Sequence, residues 1–353
     1  MNLHFKNGVY ELDKKRFRKR RKTDYITKFL DWNYDENVDE DIYNEVDLFF
    51  SKIQPKAEQK KFSLQWLAYC LTGKTNKTKF KMNIGYKASN GKTTEFTIHE
   101  SVFNIYSHKI DSKTFNENNS KKHKQIIHLL NNPIRFCYCE ELGTDRLDSS
   151  FLKDFVDGKN VVCEVMYGTS IDRAVQCKLN TCSNKDFNLD MDGGVKRRGL
   201  VQLYESKFID QNIEKTLVDD FEKNIFIKDD EYSFRFEDEK YKNAYLKLLI
   251  NNFDSNFNIP STNSELFEEI GNQYDEIGPI FNENYEQTDS NDDFVSKQDI
   301  FNLFKEKLNK NNLSWRYLLG ELKSKGLKFD RLKMINGVRG FFIGIKAIEL
   351  IDE

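Results

Sequence analysis

Apolar residues recur every three to four positions over two stretches near the N-terminus. From 38 to 54, Ile42, Val46, Phe49 and Ile53 share one face, and from 57 to 71, Leu64, Leu67 and Leu71 do the same. That spacing predicts two amphipathic helices. Ahead of them, Phe5-Lys6-Asn7-Gly8-Val9-Tyr10-Glu11-Leu12 reads as two short strands around an Asn-Gly turn. From 78 to 210 the pattern alternates between strand and helix. Lys79–Ile84, Ile134–Cys139, Asn160–Tyr167, Ala174–Thr181 and Leu200–Tyr204 read as strands; Thr93–Tyr106 and Leu147–Val156 read as helices. Such alternation predicts an α/β sheet with helices packed on it. Residues 211–281 are mostly helical in pattern, most clearly Glu239–Phe253.

The stretch 282–293, NENYEQTDSNDD, is acidic and nearly without apolar side chains, the signature of a flexible linker. Pattern returns after it. Ser296-Lys297-Gln298-Asp299 resembles a capping box, followed by Ile300, Phe301, Phe304 and Leu308 on one face. A second helix carries Trp315, Leu318, Leu319 and Leu322 and stops near Gly326. Lys328–Ile335 and Val338–Ile345 flank Asn336-Gly337, a strong hairpin signal. Helix, helix, hairpin is a winged-helix pattern, with Arg331, Lys333 and Arg339 on the wing. The expected organisation is 1–77 as a strand hairpin and helical segment, 78–210 as the core, 211–281 helical, 282–293 linker and 294–353 the terminal domain.

Composition changes this picture little. The net charge of −2 supplies no global attraction to nucleic acid, so such binding must come from local patches. No run approaches the roughly 18 apolar residues of a membrane span, and Met1–Asn7 holds no signal-peptide core. A soluble intracellular protein is expected. Cys70, Cys137, Cys139, Cys163, Cys177 and Cys182 lie mostly in apolar runs without a CxxC pair, so buried reduced thiols are expected rather than zinc ligands. The basic run 14–22 could touch phosphates, direct nuclear import or form a solvated surface.

Four motifs carry chemistry. Gly85-Tyr86-Lys87-Ala88-Ser89-Asn90-Gly91-Lys92-Thr93-Thr94 lies between a predicted strand and a predicted helix, the context of a phosphate-binding loop. Gly85, Ser89, Asn90, Gly91, Lys92, Thr93 and Thr94 are the expected ATP contacts. Lys92 would reach the β- and γ-phosphates, and the Thr93 hydroxyl would face Mg²⁺. Gly85 stands one position early for the usual spacing, whose first glycine would fall at Tyr86. The strand ending Cys139-Glu140-Glu141 delivers two carboxylates, Glu140 for the metal and Glu141 to polarise the attacking water. Asn184, after another strand, could bond the γ-phosphate or water. Arg197 and Arg198, just before the last strand, could serve a neighbouring subunit's ATP as arginine fingers.

Together these motifs resemble the superfamily 3 helicases, in particular the poxvirus and giant-virus primase–helicase branch, related to phage and plasmid primases. The features that carry the resemblance are Asn90-Gly91-Lys92-Thr93, Glu140-Glu141, Phe155–Cys177, Ser183-Asn184 and Lys196–Leu200. Phe5–Tyr10 and Arg331–Gly344 extend it to nearly the whole chain. The resemblance implies an α/β, AAA+-like P-loop ATPase core with a helical N-terminal segment and a C-terminal winged-helix-like domain. It implies a homo-hexameric ring, fuelled by ATP and Mg²⁺, moving 3′ to 5′ on single-stranded DNA at a viral replication fork in host cytoplasm or nucleus. Tyr86 and Ala88 depart from the family's extra loop glycines. The family's primase domain has no room here, so a separate primase or polymerase is an expected partner. Asn160–Thr181 would form the pore hairpin, with Lys159, Tyr167 and Arg173 on DNA. The alternatives are a degenerate ATPase that marks origins and a DNA-packaging motor.

Overall fold

The computed structural model describes residues 1–143, 145–163, 170–211, 218–273, 275–309 and 313–348. It divides into two compact units: Met1–Asp190 with Gly194–Glu268, and Met191–Gly193 with Glu269–Glu353.

In the larger unit two antiparallel strands flank the Asn7-Gly8 turn, Val9–Glu11 as expected and Asn2–His4 ahead of the expected Phe5, and a third strand, Arg16–Arg18, adds to them. That third strand draws the basic run onto the surface. Arg16 and Arg18 pair with Glu11 at 2.8 and 2.9 Å, Arg18 also pairs with Asp24 at 2.7 Å, and Arg20 lies over the Phe29 ring. The two expected helices run Glu40–Ile53 and Ala57–Cys70. Asp39 caps the first by accepting from the Asp41 and Ile42 amides, and its stripe of Val46, Phe49, Phe50 and Ile53 is buried. The second is buried on nearly every side, Phe62, Leu64, Trp66 and Leu67 included. All six cysteines are buried as thiols, as their apolar settings imply.

The central sheet has five strands in the order Gly199–Leu203, Phe80–Ile84, Lys178–Ser183, Phe136–Cys139, Ser107–Lys109, every adjacent pair parallel. Parallel neighbours send their C-terminal ends to one edge, where ligands bind in such sheets. The strand Lys178–Ser183 sits between the strand that precedes the glycine loop and the strand that precedes Glu140. The loop, Asn184 and Glu140 therefore leave the sheet side by side.

The strand Phe80–Ile84 is buried along its whole length. On its polar face Lys81 Nζ donates to Gln202 Oε1 at 3.0 Å and lies 3.7 Å from Glu95 Oε1. Glu95 belongs to the helix Lys92–Val102 and also accepts from Tyr204 Oη at 2.7 Å. This buried pair ties the strand before the loop to the helix after it, so both ends of the loop are fixed.

Two expectations change here. The span 174–181 divides into two strands: Ile171–Ala174 pairs antiparallel with Asn160–Cys163 in a separate hairpin, and Lys178–Ser183 joins the central sheet. The hairpin is thus shorter than 160–181, and residues 164–169, Tyr167 among them, lie outside the described residues. In the smaller unit, the stretch 282–293 contributes structure rather than a bare linker. Helix Ile277–Asn284 ends in it, and Tyr285–Gln287 pairs antiparallel with Ile345–Ala347. Polar composition hid one buried anchor, Tyr285, which packs with Ile277, Phe281, Ile300 and Ile345. The rest of this unit runs as read: helices Lys297–Lys307 and Trp315–Ser324, then Lys328–Ile335 and Val338–Ile343 around Asn336 and Gly337, both at positive φ. Phe294–Ser296 adds a third strand.

Candidate nucleotide site

The loop 85–91 is shaped by two glycines. A Cβ on Gly85 would stand 2.1 Å from Asn90 Nδ2 and 2.8 Å from Lys92 Nζ. The glycine one position early is therefore the one against which the loop closes, while Tyr86 is exposed and donates to Asp186 Oδ1 at 2.7 Å. Gly91 begins the helix at φ 86, and a Cβ there would lie 2.3 Å from Ile53 Cγ2. Only glycine meets both demands without strain. Asn90 folds back, its Nδ2 donating to Lys87 O at 2.6 Å.

Lys92 is buried at the helix start. Its ammonium donates to Gly85 O at 3.2 Å, Asn90 Oδ1 at 3.0 Å and Asn184 Oδ1 at 3.0 Å. All three acceptors are neutral oxygens, and burial holds its pKa below the usual lysine range. A buried cation held by dipoles alone keeps its charge available for an anion, and the N-terminus of the helix adds to that field. Thr93 is exposed, Thr94 half-buried and Ser89 exposed at positive φ. The structure thus brings Gly85, Asn90, Lys92 and Asn184 together.

The two carboxylates lie otherwise than a simple pair. Glu140 forms an ion pair with Lys109, whose own pKa is raised by that bond. Glu141 is exposed at φ 53, a left-handed conformation uncommon outside glycine and worth attention at a site. Lys109 was missed by sequence reasoning. It ends a three-residue strand, opposite Tyr138 in the ladder, and so short a strand leaves no periodicity to read.

The arginines separate. Arg198 is buried, with Nε and Nη2 each 2.7 Å from the Asp157 carboxylate and Nη1 donating to Gly194 O at 2.7 Å. Its guanidinium is committed inside its own chain, and Asp157 is held below the usual carboxylate range by it. Arg197 is exposed and its carbonyl accepts from Lys79. Of the expected DNA contacts, Lys159 pairs with Asp154 at 2.6 Å and Arg173 donates to Leu130 O at 3.2 Å. Arg331 and Arg339 are exposed on the terminal hairpin, and Lys333 lies 4.5 Å over the Phe294 ring. Among the described residues there is no cluster of three His, Cys, Asp or Glu side chains placed to hold a metal. No helix among them is long and apolar enough to cross a membrane.

Comparison with known proteins bears on this arrangement. Residues 2–70 match the family described as D5 N terminal like. Over 257 residues, 71% of this chain, the sequence is 26% identical to a protein of Acanthamoeba polyphaga mimivirus that carries the name of a helicase. The chain spans 26% of that relative's length. Among solved structures, the C-terminal region of NrS-1 is similar at 10% identity and a TM-score of 0.48, over 89% of this chain and 77% of that one. The JCV helicase is similar at 12% identity and a TM-score of 0.35, over 70% and 64%. Both scores are low. The two sequence matches are thus a likeness to the D5 N terminal-like family over residues 2–70 and a likeness to a giant-virus protein named as a helicase.

Proposed function

We propose that this chain is an ATP-hydrolysing motor of viral genome replication, a helicase that works as a ring on single-stranded DNA. The observation that carries the reading is Lys92: a buried ammonium at a helix N-terminus, held by Gly85, Asn90 and Asn184 through neutral oxygens. Such a charge suits the terminal phosphates of a nucleoside triphosphate. The glycine cradle at 85 and 91 and the exposed Thr93 hydroxyl fit the same ligand; Thr93 and Glu140 would hold Mg²⁺, which would neutralise charge on the phosphates. Asn184, already on Lys92, would bond the γ-phosphate. Glu141 would orient and polarise the attacking water. Lys109 fixes the direction of the Glu140 carboxylate.

Arg197 is the better finger of the two arginines, because Arg198 is spent on Asp157. A finger that serves the next subunit requires a head-to-tail interface, which closes into a ring, here a hexamer. The smaller unit has the helix, strand, two-helix, hairpin order of a winged helix, and Arg331, Lys333 and Arg339 on its hairpin suit phosphate contact.

Strand displacement on a forked duplex, driven by ATP, tests the reading together with subunit mixing. Lys92→Ala and Arg197→Ala chains, each inactive alone, should regain part of the activity when mixed. No recovery in rings shown by mass measurement to be mixed would remove the shared site.

A further inference from the structure

Beside the loop lies a cavity of about 310 Å³, within the roughly 300–1,000 Å³ of small-molecule sites. Ser89 and Thr94 bring the loop and its helix to one side. Leu48 and Phe49 of the helix Glu40–Ile53 form a second wall, and Phe208 and Tyr232 a third. Leu48, Phe49, Phe208, Ile227 and Tyr232 make an apolar part of the lining, and it is braced. Phe49 and Tyr232 stack at 4.6 Å, and the Phe208 amide donates to Ser89 O at 2.7 Å. Arg235 joins the two outer walls by pairing with Glu45 on one side and with Asp229, at 2.6 Å, on the other. Leu48 is 44% exposed, an apolar side chain turned into this space rather than into the core.

We infer that this cavity receives the base of the nucleoside triphosphate whose phosphates Lys92 holds. The inference rests on reading 85–94 as a phosphate loop, and adds the part of the ligand that the loop cannot recognise. A flat aromatic base suits walls made of Phe208 and Leu48, because stacking and apolar contact need no particular hydrogen-bond partner. The charged part of the lining, Glu45, Lys52, Lys228, Asp229, Asp230 and Arg235, would face the ribose. Part of the base contact then comes from the helix Glu40–Ile53, inside the segment 2–70 that matches the D5 N terminal-like family. That segment is part of the nucleotide site, and nucleotide binding would clamp it to the sheet.

Inorganic triphosphate separates the two halves of the site, because it offers phosphates without a base. The full chain is titrated with Mg-ATP and with magnesium triphosphate, as wild type, Leu48→Gln, Phe208→Ala and Lys92→Ala. Leu48 is half exposed, so its change leaves the fold intact even if Phe208→Ala perturbs the wall. The expected result is a loss of about tenfold or more in ATP affinity for Leu48→Gln and Phe208→Ala with triphosphate affinity unchanged, and a loss of both ligands for Lys92→Ala. ATP bound as tightly by Leu48→Gln and Phe208→Ala as by wild type overturns the pocket and leaves the phosphate loop standing. So does an equal loss of triphosphate in those two variants. If Lys92→Ala binds both ligands as wild type does, the phosphate loop falls, and the pocket with it.

Discussion

Gly85→Ala is the smallest change that should disable the site. The new methyl would lie 2.1 Å from Asn90 Nδ2 and 2.8 Å from Lys92 Nζ, where non-bonded heavy atoms prefer roughly 3.5 Å or more. Asn90 must retreat, breaking its 2.6 Å bond to Lys87 O and moving the acceptor that holds Lys92 at 3.0 Å. Hydrogen bonds to a charged group contribute about 1.5–3 kcal/mol. Misplacing the ammonium should therefore weaken nucleotide binding by about 2–3 kcal/mol, roughly 30- to 150-fold in Kd. The fold should suffer little. Tyr86, Lys87, Ala88 and Ser89 are exposed, so released groups meet water and the cost to stability stays near ~1 kcal/mol. Titration calorimetry with Mg-ATP, beside a thermal melt, reads both effects. Gly193→Ala is the control, since a Cβ there has nothing within 4 Å, and its binding should match wild type. Wild-type affinity in a folded Gly85→Ala chain would refute the geometry of the loop.

Four further outcomes are expected. Glu141→Gln should keep nucleotide affinity and lower turnover by about 10²-fold or more, the scale of a lost general base; the same behaviour from Glu140→Gln instead would exchange the two roles. Arg198→Ala should destabilise the chain by about 1–2 kcal/mol, seen as a lower Tm, because the half-buried Asp157 loses its main partner. Arg197→Ala should leave Tm unchanged and lower turnover more than binding. His99 is fully buried beside Tyr245, and burial lowers its pKa to about 3. The unfolded chain alone takes up that proton below about 6.5, so this part of the stability is complete above pH 6.5 and is lost as pH falls toward 3. Between pH 7 and pH 5 the loss is about 2 kcal/mol. Chemical denaturation at the two pH values should show it in wild type and not in His99→Gln; equal pH dependence in both would contradict it.

How much of this was legible in the sequence depended on the range of the signal. The strand–loop–helix around Lys92, the strand before Glu140 and the Asn336-Gly337 hairpin are local patterns, and each forms within a residue or two of its expected bounds, except that the helix ends at Val102, four residues before Tyr106. Strand order is not local. That Asn184 lies between the loop and Glu140 follows from Lys178–Ser183 inserting between two strands far from it in sequence. The Lys109–Glu140 and Asp157–Arg198 pairs depend on the same packing, and charge alone could not tell a committed arginine from an exposed one. Length also misled: Ser107–Lys109 is too short to show a period, and Tyr285 is a single anchor in a polar stretch.

The most direct measurement is steady-state ATP turnover by the purified chain, wild type and Lys92→Ala, with and without single-stranded DNA. The account predicts turnover by wild type that rises when DNA is added, and none above background from Lys92→Ala in either condition. Equal turnover by the two proteins, with Lys92→Ala shown to be folded, would contradict it.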